Sequence, residues 1–100
     1  MPAVSRDGDE LSTGHVCDTI TQLDTPNQST VFANGILVAR RTDKTVVHRF
    51  PPFPLCPNHI AQVNDGSPTV FVEGLEVARV GDSADLGEMI EGSPTVFAGP

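Results

Sequence analysis

The sequence contains no tryptophan, no tyrosine and only five phenylalanines among its 100 residues. A chain of this length buries only about two-thirds of the surface that it exposes when unfolded, so its core is a modest source of stability. We therefore expect one small domain, residues 1–100, that needs a further source of stability. A metal ion, a disulfide or a partner surface could supply it.

Basic residues and long apolar runs are also scarce. Six Lys and Arg stand against thirteen Asp and Glu, which gives a formal net charge of −7. Nucleic acids and anionic lipid headgroups are bound mainly through Lys and Arg, so this composition excludes both as principal partners. No apolar run approaches the ~20 residues of a membrane-spanning helix. Residues 1–7 lack the basic start and apolar stretch of a signal peptide, so we expect synthesis in the cytoplasm.

The sequence does contain one motif that recurs along the chain. Residues 66–82 repeat residues 28–43 after one register shift near Gly66, and residues 92–100 repeat the first half of the same motif. Residues 2–9, Pro-Ala-Val-Ser-Arg-Asp-Gly-Asp, resemble its second half. Read as a circle, the chain holds three copies of one unit, and such self-similarity is the main determinant of architecture.

Each copy has the pattern of a short β-hairpin. Asn34 and Gly35 lie between two apolar, β-forming stretches, and Asn-Gly there is the strongest signal for a two-residue hairpin turn. Glu73 and Gly74 take the same place in the second copy. Residues 1–4 would supply the return strand of the third copy if the two ends of the chain meet. Because helical periodicity is nearly absent, we expect an all-β fold of short hairpins and ordered loops.

An Arg-x-Gly-Asp tetrapeptide follows the return strand at residues 79–82 and 6–9, and residues 40–43 are its diverged copy. Gly permits a left-handed backbone conformation, and an Asp carboxylate can accept backbone N–H bonds in the turn that follows. We interpret this tetrapeptide as turn-forming, because repeated residues usually serve the repeated fold.

The histidines and cysteines all lie in the two inserts between the copies, residues 10–28 and 44–65. They are His15, Cys17, His48, Cys56 and His59. Thiolate sulfur and neutral imidazole are natural ligands of tetrahedral zinc, and a set of His15, His48, Cys56 and His59 would fill four positions. In an extended segment His15 and Cys17 point to the same side, so spacing alone does not choose between them.

Other interpretations of these residues stay open. A Cys17–Cys56 disulfide is less expected in a chain without a secretory signal. The histidines could also be ordinary loop residues. A catalytic Cys–His pair would need an exposed, activated thiol and an oxyanion hole, for which there is no local signature.

The three permuted copies of Gly-Ser-Pro-x-Val-Phe-x-x-Gly-x-x-Val-Ala-Arg-x-Gly-Asp, with inserts that carry His and Cys, resemble the PAAR-repeat proteins. The resemblance covers essentially the whole chain. Thr42 in place of Gly, and residues 27–29 in place of Gly-Ser-Pro, depart from the pattern.

This resemblance implies a cone of short hairpins with pseudo-threefold symmetry and a Zn²⁺ ion near its apex, bound by three His and one Cys. His15, His48 and His59 match that set, and Cys56 is the preferred cysteine because it is close to His59. The resemblance also implies a non-enzymatic role. Such a protein caps a trimeric β-helical spike, one copy per trimer, at the tip of a phage tail or a type VI secretion system, and helps it to breach a membrane. A small zinc- or thiol-dependent hydrolase and a free-standing binding module are the alternatives.

Two sets of repeated apolar residues compete for the core. They alternate in direction along their strands, so one set faces the core and the other is free for the spike. We expect Phe32, Phe71 and Phe97 in the core, as is usual for large aromatics. Val31, Val70 and Val96 are then the residues expected to contact the partner.

Overall fold

Ten very short β-strands, each of two or three residues, make up the regular structure of the chain. The computed structural model describes residues 1–100. In chain order the strands are β1 (Glu10–Ser12), β2 (Ile20–Gln22), β3 (Phe32–Ala33), β4 (Ile36–Leu37), β5 (His48–Arg49), β6 (Asn58–His59), β7 (Phe71–Val72), β8 (Leu75–Glu76), β9 (Ser83–Ala84) and β10 (Gly87–Met89). There is no helix, and the predicted all-β fold is confirmed.

The strands form one larger sheet and three separate hairpins. The larger sheet is antiparallel, with the strand order β2-β1-β10-β9, and the hairpins are β3–β4, β5–β6 and β7–β8. The structure contains no helix long and apolar enough to cross a lipid bilayer.

Two of these hairpins lie where the repeated motif predicts them. The turn of β3–β4 has φ angles of 57° at Asn34 and 77° at Gly35, and the turn of β7–β8 has 46° at Glu73 and 86° at Gly74. Positive φ at both central positions matches the twist of the flanking strands. The expected hairpins of the first and second copies are thus confirmed.

The third copy is closed by the first residues of the chain. Each copy is closed by an equivalent backbone hydrogen bond of 3.0–3.1 Å, donated by the amide of the valine in its return strand. The bonds run from Val4 to Val96, from Val38 to Val31 and from Val77 to Val70. Ala3 also forms a β-bridge with Phe97, and the Ala98 amide donates to the Pro2 carbonyl. The terminal segments therefore meet, as the circular arrangement of the motif predicts.

A closed ring of three backbone hydrogen bonds joins the copies. The amide of Ser5 donates to the carbonyl of Ala78, Ala78 donates to Ala39, and Ala39 donates to Ser5, each at 2.9 Å. These residues occupy the same position in their copies, and all three are fully buried. The three copies therefore surround a common centre that admits only small side chains.

The buried apolar residues form two clusters. The first, which we call the turn cluster, consists of Val4, Ala33, Val38, Val72, Val77 and Ala98. The second, the middle cluster, consists of Leu11, Leu23, Ala39, Val63, Ala78, Ala84 and Met89. Two members of the backbone ring, Ala39 and Ala78, thus belong to the middle cluster. The molecule as a whole is elongated and measures 40 × 23 × 22 Å.

The repeated phenylalanines do not belong to this core, and that prediction is wrong. Phe32, Phe71 and Phe97 are 55%, 56% and 42% exposed. The next residue of each copy is buried instead, namely Ala33, Val72 and Ala98. Neighbouring strand residues face opposite sides. Because three copies converge on one centre, the inward position holds only Ala or Val.

The Arg-x-Gly-Asp tetrapeptides hold the copies together. Arg6 and Arg79 form ion pairs with Asp9 and Asp82 at 3.1 and 3.0 Å. The hydrogen bond with Asp82 raises the pKa of Arg79 further, although burial opposes that rise. Each arginine of the motif also donates to the hairpin turn of the next copy: Arg6 to Asn34, Arg40 to Glu73 and Arg79 to Gly99. Their structural interpretation is confirmed.

The diverged first copy keeps the geometry of the other two by different chemistry. In those copies, Ser67 and Ser93 hydroxyls accept two backbone N–H bonds at the start of the hairpin. In the first copy, the side-chain oxygen of Gln28 accepts the equivalent bonds from Thr30 and Val31. The departure from Gly-Ser-Pro therefore leaves this hairpin intact.

Candidate metal centre

Four side chains converge beyond the middle cluster, at the end formed by the inserts. They belong to His15, His48, His59 and Asp85, and their potential ligand atoms lie within 4.8 Å of one another. We call this group the histidine–aspartate cluster. His15 comes from the first insert, His48 and His59 from the second, and Asp85 from the turn between β9 and β10. The cluster thus joins three segments that are distant in sequence.

Strand register brings two of the histidines together. His48 and His59 are directly opposite each other in the antiparallel hairpin β5–β6. Directly opposed residues project from the same face of a strand pair, with their side chains in reach of each other. The ring centroids of His48 and His59 accordingly lie 4.9 Å apart.

Glycine allows the first insert to approach the β9–β10 turn. Gly14 has a φ of 74°, and a Cβ atom placed on it would lie 2.3 Å from the carbonyl oxygen of Leu86. Any other residue at position 14 would push the two segments apart. Asp85 itself has a φ of 54°, a conformation that Asp tolerates better than most residues. The close approach therefore places His15 against Asp85.

The carboxylate of Asp85 lies at the centre of the cluster. Its Oδ2 is 2.9 Å from Nε2 of His15 and 2.8 Å from Nε2 of His48, and its Oδ1 is 3.4 Å from Nε2 of His59. Burial raises the pKa of Asp85, but hydrogen bonds from His15, His48 and His59 outweigh it, and the pKa lies below its usual value. Asp85 is therefore an ionised, inward-facing carboxylate.

The second ring nitrogen of two histidines is held by the backbone. Nδ1 of His15 lies 2.9 Å from the carbonyl oxygen of Val16, and Nδ1 of His48 lies 2.9 Å from that of Val46. A carbonyl only accepts, so Nδ1 carries N–H. Nε2 then either carries a second proton, which it donates to Asp85, or presents its lone pair to a cation. Metal-bound histidines almost always make this second contact.

The donor set consequently fits a cation. In the neutral imidazoles with Nδ1 protonated, the Nε2 lone pairs of His15 and His48 would point at the lone pairs of the Asp85 carboxylate. Such a group repels itself unless the imidazoles take up extra protons or a metal ion binds between them. Imidazole nitrogen and carboxylate oxygen are both ligands that Zn²⁺ accepts.

The cluster is covered on most sides. The side chains of His15, His48 and Asp85 are each only 3% exposed, whereas that of His59 is 26% exposed. The ring of Phe50 packs on two of the histidines, with centroid distances of 4.7 Å to His15 and 4.4 Å to His59. Access from solvent is therefore through the side where His59 lies.

Cys56 does not join the histidines, contrary to expectation. Its sulfur is bonded to that of Cys17, with the two Cα atoms 5.7 Å apart, and the chain has no free cysteine. Metal binding requires a thiolate, which a disulfide does not supply. Of the alternatives, the Cys17–Cys56 disulfide is the one present, and Asp85 takes the fourth place in the cluster. The disulfide joins the same two inserts that carry the histidines.

Asp85 was missed by reasoning from the sequence. It is 70 residues from His15 and 37 from His48, so no ligand spacing connects it to them. Glycines on both sides of Asp85 interrupt the sequence pattern, so the surrounding segment shows no clear helix or strand signal. The only local signal is an Asp before Leu-Gly, which is typical of a tight turn but not of a metal site.

The residues expected to contact a partner lie at the opposite end, beside the hairpin turns. Val31, Val70 and Val96 are 38%, 39% and 38% exposed, and each precedes one of the exposed phenylalanines. The three copies thus present the same apolar pair to solvent. The part of these valines in binding stays a prediction.

The chain matches a family model described as the PAAR motif. One match covers residues 12–87 and a second covers residues 55–99, so that together they span most of the chain. A search of curated proteins found no match.

Proposed function

Because the chain belongs to the PAAR-motif family, we propose that it is a structural tip of a contractile injection machine, of the phage-tail or type VI secretion kind. One copy caps a trimeric β-helical spike and leads it through the target membrane. It is synthesised in the cytoplasm and assembled at the tip of the spike.

The observation that carries this proposal is the same exposed apolar pair in all three copies, at the end of the molecule that holds the hairpin turns (the turn end). Each copy exposes one Val-Phe pair there, at residues 31–32, 70–71 and 96–97. Side-chain hydrogen bonds also join each copy to the other two. Thr30 donates to Glu73, Thr69 to the carbonyl of Gly99, and Asn34 to Thr95. A single chain with three equivalent surfaces can contact three identical subunits in the same way, without being a trimer itself.

The histidine–aspartate cluster supports the structural half of the proposal. We propose that it holds Zn²⁺ through His15, His48, His59 and Asp85. Four protein ligands are typical of a structural zinc site, whereas a catalytic site keeps one position for water or substrate. A bound ion would cross-link both inserts and the β9–β10 turn, and such a site can contribute about 10 kcal/mol to folding in zinc-dependent domains.

The alternative of a small hydrolase has less support. A thiol-dependent enzyme needs a free nucleophile, but both cysteines are in the disulfide. A zinc-dependent hydrolase needs a metal-bound water, whereas Asp85 as a fourth protein ligand would leave no position of a four-coordinate ion for that water. These features favour a scaffold over a catalyst.

The experiment that tests this function is binding to a trimeric β-helical spike fragment from the same source. Metal-loaded protein is mixed with the fragment, and the mass of the complex is measured by size-exclusion chromatography with light scattering. We expect one copy per trimer. The triple variant Val31→Asp, Val70→Asp, Val96→Asp should not bind, whereas Asp24→Asn, an exposed substitution away from these pairs, should bind normally. A folded wild type that stays separate from the spike would contradict the proposal.

A further inference from the structure

Exposed apolar side chains surround the histidine–aspartate cluster. Every residue of the cluster is followed or preceded directly by a large apolar residue that faces solvent. These neighbours are Val16 beside His15, Val47 beside His48, Ile60 beside His59 and Leu86 beside Asp85. Val16, Val47 and Ile60 are each 56% exposed, and Leu86 is 67% exposed.

The strand pair β5–β6 explains half of this arrangement. His48 and His59 lie in strands, where successive side chains point to opposite sides, so the apolar residues beside them face away from the cluster. His15 and Asp85 lie instead in a bend and a turn, and their apolar neighbours are exposed there. Each member of the cluster thus has an exposed apolar side chain next to it.

The loop between β5 and β6 extends this surface. Residues 50–57 read Phe-Pro-Pro-Phe-Pro-Leu-Cys-Pro and contain no charged side chain. Phe53 and Leu55 are each 77% exposed, among the most exposed apolar residues of the chain. The disulfide at Cys56 and the contact of Arg49 with the Cys56 carbonyl tie the loop down beside them. We call Val16, Val47, Phe53, Leu55, Ile60 and Leu86 the apolar belt.

Charged groups are few in these segments. Residues 14–18, 46–60 and 85–87 contain only Asp18, Arg49 and Asp85. The carboxylate of Asp85 faces inward, and that of Asp18 accepts the backbone N–H of Arg49. Most of the net charge of −7 therefore lies in other segments of the chain.

The shape of the belt indicates what can cover it. Its residues are exposed and come from three segments that meet at the buried cluster. The one cavity of the protein lies elsewhere, so the belt forms no groove for a partner segment. A folded partner that docks on one segment would cover only part of the belt, whereas a fluid apolar phase can cover all of it. Exposed apolar surface of this kind marks a contact with a protein or a membrane, and the absence of a groove favours the membrane.

We propose that the apolar belt enters the hydrocarbon layer of a bilayer made of electrically neutral lipids. Anionic headgroups are attracted by Lys and Arg, of which these segments hold only Arg49. Four residues of the belt are next in sequence to the side chains that would hold the metal, so a bound ion would give the belt a rigid base. That this end leads into the membrane rests on the proposed function.

The test is partitioning of the metal-loaded protein into zwitterionic phosphatidylcholine vesicles, measured by co-flotation. The belt variant is Phe53→Ser, Leu55→Ser. The control is Phe32→Ser, Phe71→Ser, which removes two exposed apolar side chains from the turn end. We expect the wild type and the control to partition equally and the belt variant to bind about tenfold more weakly. All three proteins should melt at similar temperatures, since the replaced side chains are exposed.

Four results would overturn the proposal. They are a wild type that does not partition, an equal loss in the control variant, binding that requires anionic lipid, and a belt variant that binds vesicles like the wild type.

Spike binding, measured on the same proteins, separates this inference from the proposed function. The belt variant should still bind the trimeric spike. A wild type that binds the spike but not vesicles contradicts the belt alone. A wild type that binds vesicles but not the spike contradicts the proposed function and leaves the belt supported.

Discussion

Oδ2 of Asp85 lies 2.8 Å from Nε2 of His48, although the two residues are 37 positions apart in the chain. Nδ1 of the same histidine faces a backbone carbonyl, so in the neutral imidazole the Nε2 lone pair points at the carboxylate. Two electron-pair donors at this distance are stable only with a proton or a cation between them. Five predictions about this cluster and the scaffold that carries it can be measured directly.

The first prediction concerns the fourth ligand. Asp85→Asn should lower zinc affinity by more than about tenfold, because it replaces a charged donor with a neutral amide. Zinc affinity is measured by competition with a chromogenic chelator, and stoichiometry by elemental analysis. The matched control is Cys17→Ser, Cys56→Ser, which should keep one ion per chain. If the cysteine variant loses the metal and Asp85→Asn keeps it, Cys56 is the ligand and Asp85 is not.

The second prediction concerns the disulfide. The bond closes a loop with a sequence separation of 39 residues. Loss of that cross-link, in Cys17→Ser, Cys56→Ser, should lower the free energy of unfolding by about 4 kcal/mol, chiefly because the unfolded chain gains freedom. Denaturant unfolding of metal-free protein measures the change, and reduction of the wild type should give a similar loss. Identical unfolding curves for oxidised wild type and variant would contradict this.

The third prediction reverses the expectation for the repeated phenylalanines. Phe71→Ala should change the free energy of unfolding by less than about 0.5 kcal/mol, since the side chain is more than half exposed. Val72→Ala removes buried methyl groups from the turn cluster and should cost roughly 2 kcal/mol. Urea unfolding of both variants measures the difference. If Phe71→Ala loses more free energy of unfolding than Val72→Ala, the aromatic ring is part of the core and this prediction is wrong.

The fourth prediction concerns backbone strain at Thr42. This residue has a φ of 79°, close to the 81° of Gly8 and the 93° of Gly81 at the same position of the other copies. A β-branched residue is disfavoured in this region, so Thr42→Gly should raise the free energy of unfolding by roughly 1 kcal/mol. Thermal melting measures the gain. Thr42→Ala is the control and should recover less, because alanine keeps its Cβ atom.

The fifth prediction separates steric contact from backbone conformation near the cluster. Gly14 and Gly8 both have positive φ, but a Cβ on Gly14 would clash with the Leu86 carbonyl, whereas nothing lies within 4 Å of one on Gly8. Gly14→Ala should therefore displace His15 and lower zinc affinity by at least about tenfold. Gly8→Ala should lower thermal stability alone. Equal zinc affinities for the two variants would show that the close approach at Gly14 does not position His15.

The sequence alone predicted the parts of the structure that depend on neighbouring residues. Asn34-Gly35 and Glu73-Gly74 each favour a two-residue turn through their own backbone preferences, and the two hairpins form there. Repetition of the motif predicted that residues 1–4 complete the third hairpin. It also pointed to His15, His48 and His59 as one group, because all the histidines lie in the two inserts.

Tertiary structure decided what depends on convergence of distant segments. Phe71 and Val72 are both apolar, and only the small shared centre of three copies excludes the larger ring from the core. Asp85 is joined to His15 by the close approach at Gly14, which no spacing in the sequence encodes. The choice between a thiolate and a disulfide for Cys56 likewise depended on the distance to Cys17, 39 residues away. Local backbone preference acts over a few residues, whereas the ligand set and the exposed face arise only when separate turns meet around one centre.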